Sequence, residues 1–196
     1  MNFPQTTTTS ILKNNFSIIN LLALAILFFC FASVKGDSIS PEIPFMDHPG
    51  FINGGKHLDF NIFDENDIET TLQKLKGNVV VVIISATWCS NCPDVLKSVD
   101  ALKKKIKDEK VENIKILALN VGDETLEEIK THYISIGVEH LDVYKSVPAS
   151  IMDKIYGVPA CVIFDTSGNP LCGYLGGGID FSSDVFIDYL KYQSKK

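Results

Sequence analysis

A run of six apolar residues, all of them β-branched, constrains the fold of this chain most strongly: Val79-Val80-Val81-Val82-Ile83-Ile84. The run shows no alternation of apolar and polar residues, which is typical of a strand buried on both faces. From Val95 to Ile106, apolar residues recur every three or four positions, and this spacing predicts a helix that ends near Lys110. A buried strand leading into an amphipathic helix predicts an α/β protein with a central parallel or mixed β-sheet.

The remaining periodicity predicts the order β-α-β-α-β, followed by a hairpin and a final helix. Further strands are predicted at residues 57–63 (a short edge strand), 114–119, 141–144, 161–164 and 171–175. Helices are predicted over 68–75 after an N-cap in residues 64–67, and then over 126–133, 150–156 and 182–192. In the last helix region, Phe181, Phe186 and Tyr189 are expected to lie in the core.

Every basic residue of the chain is a lysine. Eighteen lysines and no arginine stand against 24 acidic residues, for a net charge of −6. Without arginine there is no bidentate donor for phosphates or base edges, and the acidic balance repels polyanions. We therefore expect no binding of nucleic acid.

The N-terminal segment has the pattern of a secretory signal peptide. Residues 1–15 are polar with one cation, Lys13, and an apolar run follows that is densest over residues 21–31. Small or polar residues occupy positions 32–38, where a cleavage site would lie. An uncleaved membrane anchor is the alternative, because residues 16–34 number 19, just enough to span a bilayer. Lipid modification of Cys30 is disfavoured, since bulky phenylalanines precede it.

These readings divide the chain into three parts. Residues 1–36 are a signal peptide or an N-terminal membrane anchor, 37–56 an irregular proline-containing lead-in, and 57–196 one folded domain. Each reading places the chain from about Asp37 onward outside the cytoplasm, soluble or anchored to the inner membrane and facing outward. The periplasm is the expected location, and cysteines there can form lasting disulfides.

Four cysteines belong to the exported part, and two of them form the motif Cys89-Ser90-Asn91-Cys92. The motif stands between the predicted buried strand and the following helix. Backbone N–H groups and the dipole of a helix N-terminus stabilise a thiolate, so Cys89 is the predicted nucleophile and Cys92 the resolving cysteine. A zinc site would need two more ligands at a matching spacing, and the four histidines form no such pattern.

The stretch from Val79 to Cys92 resembles the active-site region of thioredoxin-like proteins. Gly157-Val158-Pro159-Ala160, followed by a strand, is similar to their cis-proline loop. Pro159 follows Cys92 by 67 positions, which is more than a minimal thioredoxin needs. The additional residues include Leu119-Asn120-Val121-Gly122-Asp123. This pattern, with Asp165-Thr166-Ser167-Gly168, is similar to the TlpA/ResA-type extracytoplasmic branch.

The resemblance implies a thioredoxin fold: a central mixed sheet flanked by helices, with an extra strand and helix inserted between the CxxC helix and the cis-proline loop. It implies a thiol–disulfide oxidoreductase, a reductant or isomerase acting on protein thiols and disulfides. Its redox centre would be the Cys89–Cys92 disulfide, with no separate cofactor, and a membrane protein would supply electrons. Trp88 would cover the edge of the site, while Val158 and a cis Pro159 would shape the substrate groove.

The sequence departs from the family pattern at the acid/base positions. Ile83 stands where thioredoxins carry a buried carboxylate or amide, and Val95 where some relatives carry a glutamate. Asn91 replaces the frequent proline inside the motif. Asp94 and Asp100 are nearby acids, with Asp94 expected to be exposed. The group that exchanges a proton with Cys92 is therefore left open.

Cys161 and Cys172 fall on the two strands of the predicted closing hairpin. If the strands pair as expected, Cys161 faces Tyr174 and Cys172 faces Ile163, which makes the cysteines diagonal neighbours about 7 Å apart at Cα. That distance is marginal for a disulfide, so two free buried thiols are expected, with a second disulfide as the alternative.

Two other functions remain open from the sequence. The chain is a copper(I) chaperone for oxidase assembly if Cys89 and Cys92 hold the metal with a distal histidine such as His140. The two-residue spacing of the cysteines argues against this reading. Alternatively, the two cysteines form a static bridge in a module without redox activity.

Overall fold

The computed structural model describes Ile43, residues 61–146 and residues 155–196, and these residues form an α/β arrangement. The strands are β1 (Asn61–Phe63), β2 (Glu69–Thr71), β3 (Val79–Ser85), β4 (Ile114–Asn120), β5 (Val143–Ser146), β6 (Ala160–Phe164) and β7 (Pro170–Leu175). The α-helices are α1 (Cys92–Asp108), α2 (Leu126–Ser135) and α3 (Asp184–Gln193). A 3₁₀ helix, Leu72–Leu75, lies between β2 and β3.

The strands form one mixed sheet in the order β2-β1-β5-β4-β3-β6-β7. Strand β4 runs parallel to both β3 and β5. Strand β6 is antiparallel to β3 and β7, and β1 is antiparallel to β2 and β5. The predicted mixed sheet is confirmed. Helix α2 and strand β5 occupy the stretch in which the resemblance implies an extra strand and helix.

All seven residues of β3 are buried, as the unbroken apolar run predicts. Val79, Val81 and Ile83 pack in one core cluster with the apolar faces of α1, α2 and α3. Val80, Val82 and Ile84 pack in a second cluster, which contains Cys89 and Cys92. Because β3 contributes to both clusters, the chain that follows it starts from a fixed point in the core.

Local sequence signals account for the helix boundaries. Helix α1 carries Pro93 in its first turn, where a missing N–H removes no helical hydrogen bond. Helix α2 begins with a capping box in which Thr125 and Glu128 exchange hydrogen bonds. Helix α3 begins after Ser183, whose hydroxyl accepts the N–H of Phe186. Phe181, Phe186 and Tyr189 are buried, as expected.

The helix predicted over residues 68–75 is wrong for residues 68–71, and only Leu72–Leu75 are helical, as the 3₁₀ helix. The Asp64 carboxylate accepts the N–H groups of Asn66 and Ile68, which closes a turn between β1 and β2 rather than capping a helix. Thr70 and Thr71 then pair with β1, in keeping with the preference of β-branched residues for strands. The three apolar residues at helical spacing were too few to override this local turn.

Two strand predictions need adjustment at this side of the sheet. Strand β1 was predicted at the edge, but it lies between β2 and β5, and β2 is the edge strand. The strand predicted at 141–144 begins at Val143. The Asp100 carboxylate binds the N–H groups of residues 139–141, and these groups are therefore unavailable for a strand ladder.

Some predictions lie outside the described residues. These are the signal peptide or anchor over 1–36, the lead-in over 37–56 apart from Ile43, and most of the helix predicted at 150–156. Over the residues that the structure does describe, no helix has the length and apolar character needed to cross a membrane.

Candidate active site

The two cysteines of the motif lie at the junction of β3 and α1. After Ser85 the chain forms a turn, closed by a hydrogen bond from the Cys89 N–H to the Ala86 carbonyl at 3.1 Å. A second bond, from the Cys92 N–H to the Cys89 carbonyl at 3.2 Å, leads into the helix. Cys92 is the first residue of α1. Residues 86–91 thus form an active-site turn that presents Cys89 just before the helix.

Cys89 and Cys92 are joined by a disulfide, with their Cα atoms 5.4 Å apart. Cys92 is completely buried, whereas Cys89 retains 8% exposure. A partner molecule therefore reaches Cys89 before Cys92. The N-cap residue Asn91 makes no side-chain hydrogen bond to the first turn of α1, so the helix N-terminus can act on the sulfur of Cys89.

Pro159 lies beside the same core cluster. The peptide bond between Val158 and Pro159 is cis. Pro159 is buried, and the half-buried Val158 packs against the cluster that contains both cysteines. The Pro159 carbonyl accepts the N–H of Gly176 at 2.8 Å, which connects the loop before β6 to the end of β7.

Three large apolar side chains close to these elements face solvent. Trp88 is 65% exposed, Tyr156 63% and Leu175 41%. Trp88 precedes Cys89 directly, Tyr156 lies two residues before Val158, and Leu175 pairs across the sheet with Ala160. These three residues are therefore candidates for contact with a substrate, because they belong to the segments that carry or adjoin Cys89 and Pro159.

None of the positions considered in the sequence as a proton-exchanging group for Cys92 places a free carboxylate beside the cysteines. Ile83 is completely buried and Val95 lies in the core, so neither family position supplies a carboxylate. Asp94 is exposed, as expected. Asp100 is buried, but its carboxylate accepts the N–H groups of Glu139, His140 and Leu141.

The structure adds a carboxylate that sequence reasoning missed. Glu124 follows β4, and its carboxylate accepts hydrogen bonds from the Thr87 hydroxyl and, at 3.1 Å, from the side-chain amide of Asn120. Burial raises the pKa of Glu124, but the hydrogen bonds from Thr87, its own backbone and Asn120 outweigh burial and hold the pKa below its ordinary value. The sequence did hold a signal, because the ends of parallel neighbouring strands meet at one edge of a sheet.

Gly122 allows this arrangement. A Cβ atom at that position would lie 1.8 Å from one carboxylate oxygen of Glu124, so the carboxylate folds directly over the glycine backbone. A side chain at position 122 would force the Glu124 carboxylate away.

Cys161 and Cys172 are free thiols, as expected, but only Cys161 is buried and Cys172 is partly exposed. The register of β6 and β7 sets Cys161 opposite Tyr174 and Cys172 opposite Ile163, as the sequence predicts. Burial raises the pKa of the Cys161 thiol well above its ordinary value, with a smaller contribution from Cys172. Burial also raises the pKa of Cys172, whose sulfur lies 3.5 Å from the Tyr189 hydroxyl. Neither thiol is prepared for attack.

His140 does not lie with the two cysteines of the motif. Its N–H binds Asp100, about 12 Å along α1 from Cys92, and its side chain acts electrostatically on Asp108 at the far end of that helix. Within residues 61–146 and 155–196, no group of three or more His, Cys, Asp or Glu side chains is placed to hold a metal ion. A copper site that uses His140 therefore has no support in this geometry.

Comparison with known proteins agrees with the fold. Residues 77–170 match the model of a family described as thioredoxin-like, and this stretch runs from the start of β3 to the start of β7. Among curated proteins, none matches the chain. The resemblance drawn from the motif and the Val-Pro loop is confirmed over residues 77–170, which are similar to thioredoxin-like proteins.

Three solved structures share this fold. A thiol:disulfide interchange protein from Chlorobium tepidum is 21% identical, with 67% of this chain and 93% of that chain covered and a TM-score of 0.50. The exposed lipoprotein thioredoxin Etrx1 of Streptococcus pneumoniae is 19% identical, with coverage of 68% and 98% and a TM-score of 0.54. ScoI of Arabidopsis thaliana, solved with copper bound, is 16% identical, with coverage of 70% and 98% and a TM-score of 0.55. At these identities the likeness establishes the fold alone.

Proposed function

We propose that this chain, whose residues 77–170 match a thioredoxin-like family model, is a thiol–disulfide oxidoreductase that acts on protein substrates. One observation carries the proposal: a disulfide joins Cys89, within the active-site turn, to Cys92, the first residue of α1. A dithiol at a helix N-terminus has one activated thiol and one thiol within reach to resolve a mixed disulfide.

The chemistry starts from the reduced protein. The Cys89 thiolate attacks one sulfur of a substrate disulfide, a Cys89–substrate disulfide forms, and the other substrate sulfur leaves as a thiolate. Cys92, deprotonated by solvent or a nearby base, then attacks the Cys89 sulfur and expels the second substrate thiolate. Two electrons have passed to the substrate, and the protein ends in the disulfide form.

The proposed direction of the reaction is reduction or isomerisation. In an oxidising compartment such a protein must be reduced again after each cycle, and we propose a membrane dithiol protein as its electron donor. The dithiol itself carries the electrons, so the proposed reaction needs no further cofactor.

The exposed side chains around the site support protein substrates. Trp88, Tyr156 and Leu175 expose apolar area on the segments that carry Cys89 and adjoin the Val158-Pro159 loop. Apolar and aromatic side chains of this kind anchor protein partners, whereas a small thiol would gain little from them.

We propose that the protein works outside the cytoplasm, in the periplasm. The signal-like pattern of residues 1–38 supports export, and residues 16–34 are long enough to remain as an anchor. One protein of the same fold is described as an exposed lipoprotein. Determining the N-terminus of the protein recovered from the envelope fraction distinguishes cleavage from anchoring.

Reduction of insulin by dithiothreitol tests the proposed activity. We expect the wild-type protein to accelerate the reaction and Cys89→Ala to abolish the acceleration, because the attacking sulfur is lost. Cys172→Ala is the matched control and should retain the wild-type rate, since Cys172 lies on β7 outside the motif. If the wild-type protein gives no acceleration of either insulin reduction or refolding of a scrambled disulfide protein, the proposal is wrong.

The insulin assay also distinguishes the proposed oxidoreductase from the alternative function, a copper(I) chaperone. This alternative has one observation in its favour, the shared fold with a copper-bound ScoI protein. A chaperone that uses Cys89 and Cys92 would bind copper(I) tightly without catalysing disulfide exchange. Competition with a copper(I) chelator, measured beside the insulin assay, therefore distinguishes the two functions.

A further inference from the structure

We propose that Glu124 is a positioning residue for Cys89: through Thr87, its carboxylate fixes the active-site turn against the end of β4. The consequence of this contact for the Cys89–Cys92 pair rests on the proposed function. The contact connects two segments that are 37 residues apart in sequence.

The active-site turn has few other attachments. Trp88, Ser90 and Asn91 are exposed, and Asn91 does not cap α1. In the part of the chain that the structure describes, Thr87 is the one residue of this turn whose side chain hydrogen-bonds to another element. In the reduced protein, where no disulfide holds Cys89, its position therefore depends on its packing in the core cluster, two backbone hydrogen bonds and the Thr87 contact.

Glu124 is itself held in place through the carboxylate oxygen that does not bind Thr87. The Asn120 side chain, which is 1% exposed, donates to the second carboxylate oxygen of Glu124. Asn120 pairs with Ser85 in the parallel ladder, and the Val121 N–H donates to the Ser85 carbonyl at 2.9 Å. The capping box of α2 begins at Thr125, directly after Glu124. Asn120 and the start of α2 thus hold the Glu124 carboxylate in position for its hydrogen bond with Thr87.

This clamp, formed by Thr87, Glu124 and Asn120, has a consequence for the redox pair. Closing a disulfide within the protein is favoured when the two sulfurs are already held near each other, since less freedom is lost. A turn that is no longer clamped lets Cys89 sample positions farther from Cys92. The disulfide then becomes less stable relative to the dithiol.

The experiment measures the equilibrium between the Cys89–Cys92 pair and dithiothreitol, with fluorescence of Trp88, the single tryptophan of the chain, as the readout. We expect Glu124→Ala and Thr87→Val each to shift the equilibrium about tenfold toward the protein dithiol, or about 30 mV for this two-electron couple. The double variant should shift it no further than either single change, because both remove the same contact.

Conservative variants separate the hydrogen bond from the charge. Glu124→Gln keeps an acceptor for Thr87 but removes the negative charge, and Thr87→Ser keeps the hydroxyl. Both should stay within about twofold of wild type, as should Glu127→Ala, which removes a carboxylate from the first turn of α2 that has no contact with the active-site turn. Gly122→Ala should resemble Glu124→Ala, since its Cβ displaces the carboxylate.

Two results would overturn the proposal. One is an unchanged equilibrium in Glu124→Ala and Thr87→Val with the fold intact by circular dichroism. The other is a shift in Glu124→Gln as large as that in Glu124→Ala, with Thr87→Val silent, which would assign the effect to charge. Because the equilibrium is measured without a protein substrate, inactivity toward insulin would contradict the proposed function and leave the clamp result standing.

Discussion

The Asp100 carboxylate accepts the backbone N–H of His140 at 2.6 Å, and it accepts the neighbouring N–H groups of Glu139 and Leu141 as well. One buried side chain on α1 therefore fixes the loop between α2 and β5. This contact defines where β5 begins and accounts for a buried acid that takes no part in the redox site.

Replacing Asp100 by alanine should destabilise the fold without removing the redox chemistry. Three N–H groups in a partly buried loop would lose their acceptor, and we expect a loss of about 3 kcal/mol in the free energy of unfolding. Urea denaturation followed by circular dichroism measures this loss. Lys97→Ala, at an exposed position on the same helix, should change stability by less than about 0.5 kcal/mol. Equal effects of the two changes would contradict the role given to Asp100.

Trp88→Ala should weaken the reaction with protein substrates more than the reaction with small disulfides. The side chain is exposed beside Cys89 and offers apolar contact area, but it takes no part in sulfur chemistry. We expect a KM for insulin that is about five- to thirtyfold higher, or about 1–2 kcal/mol of lost binding, with an unchanged rate toward a small aromatic disulfide. Val185→Ala, an exposed apolar residue on α3, is the control. A parallel loss with both substrates would argue against a docking role for Trp88.

Cys161 and Cys172 should remain free thiols in the oxidised protein. Burial raises the pKa of both groups, so in the native protein each should react with iodoacetamide more slowly than free cysteine, and faster as pH rises. Peptide mapping after alkylation in denaturant, without reductant, should find both residues modified and Cys89 and Cys92 unmodified. Detection of a disulfide-linked peptide that joins Cys161 to Cys172 would contradict the prediction that both are free thiols.

The stability contributed by the Glu124 carboxylate should depend on pH. Its pKa is lower in the folded protein than in the unfolded chain, so the contribution is present above the unfolded pKa and is lost as pH falls through the folded pKa. The difference in unfolding free energy between wild type and Glu124→Gln should therefore be larger at about pH 7 than at about pH 3. A difference that is the same at both pH values would show that the carboxylate is not favoured in its charged form.

The central strand and the dithiol were predictable because local sequence determines both. The run from Val79 to Ile84 can only be buried on both faces, and the motif follows it at the start of a helical pattern. The hairpin register at Cys161 and Cys172 also followed, since the turn between the strands sets which residues face each other.

Contacts between distant segments were not predictable in the same way. The bond from the Thr87 hydroxyl to Glu124 depends on the adjacency of β3 and β4, so the sequence indicates it only after the two strands have been recognised as parallel neighbours. The helix expected after Asp64 failed for a related reason. A side chain that closes a turn and one that caps a helix use the same residue types, and only the pairing of β2 with β1 decides between them.

Trapping of a mixed disulfide tests thiol–disulfide exchange by this protein most directly. In Cys92→Ala the resolving thiol is missing, so Cys89 should remain bonded to a substrate cysteine after reaction with a disulfide-containing protein. Mass spectrometry should identify this adduct at Cys89 in Cys92→Ala and find none in Cys89→Ala. Absence of an adduct at Cys89, with Cys92→Ala correctly folded and its thiol reactive toward iodoacetamide, would contradict the proposed function.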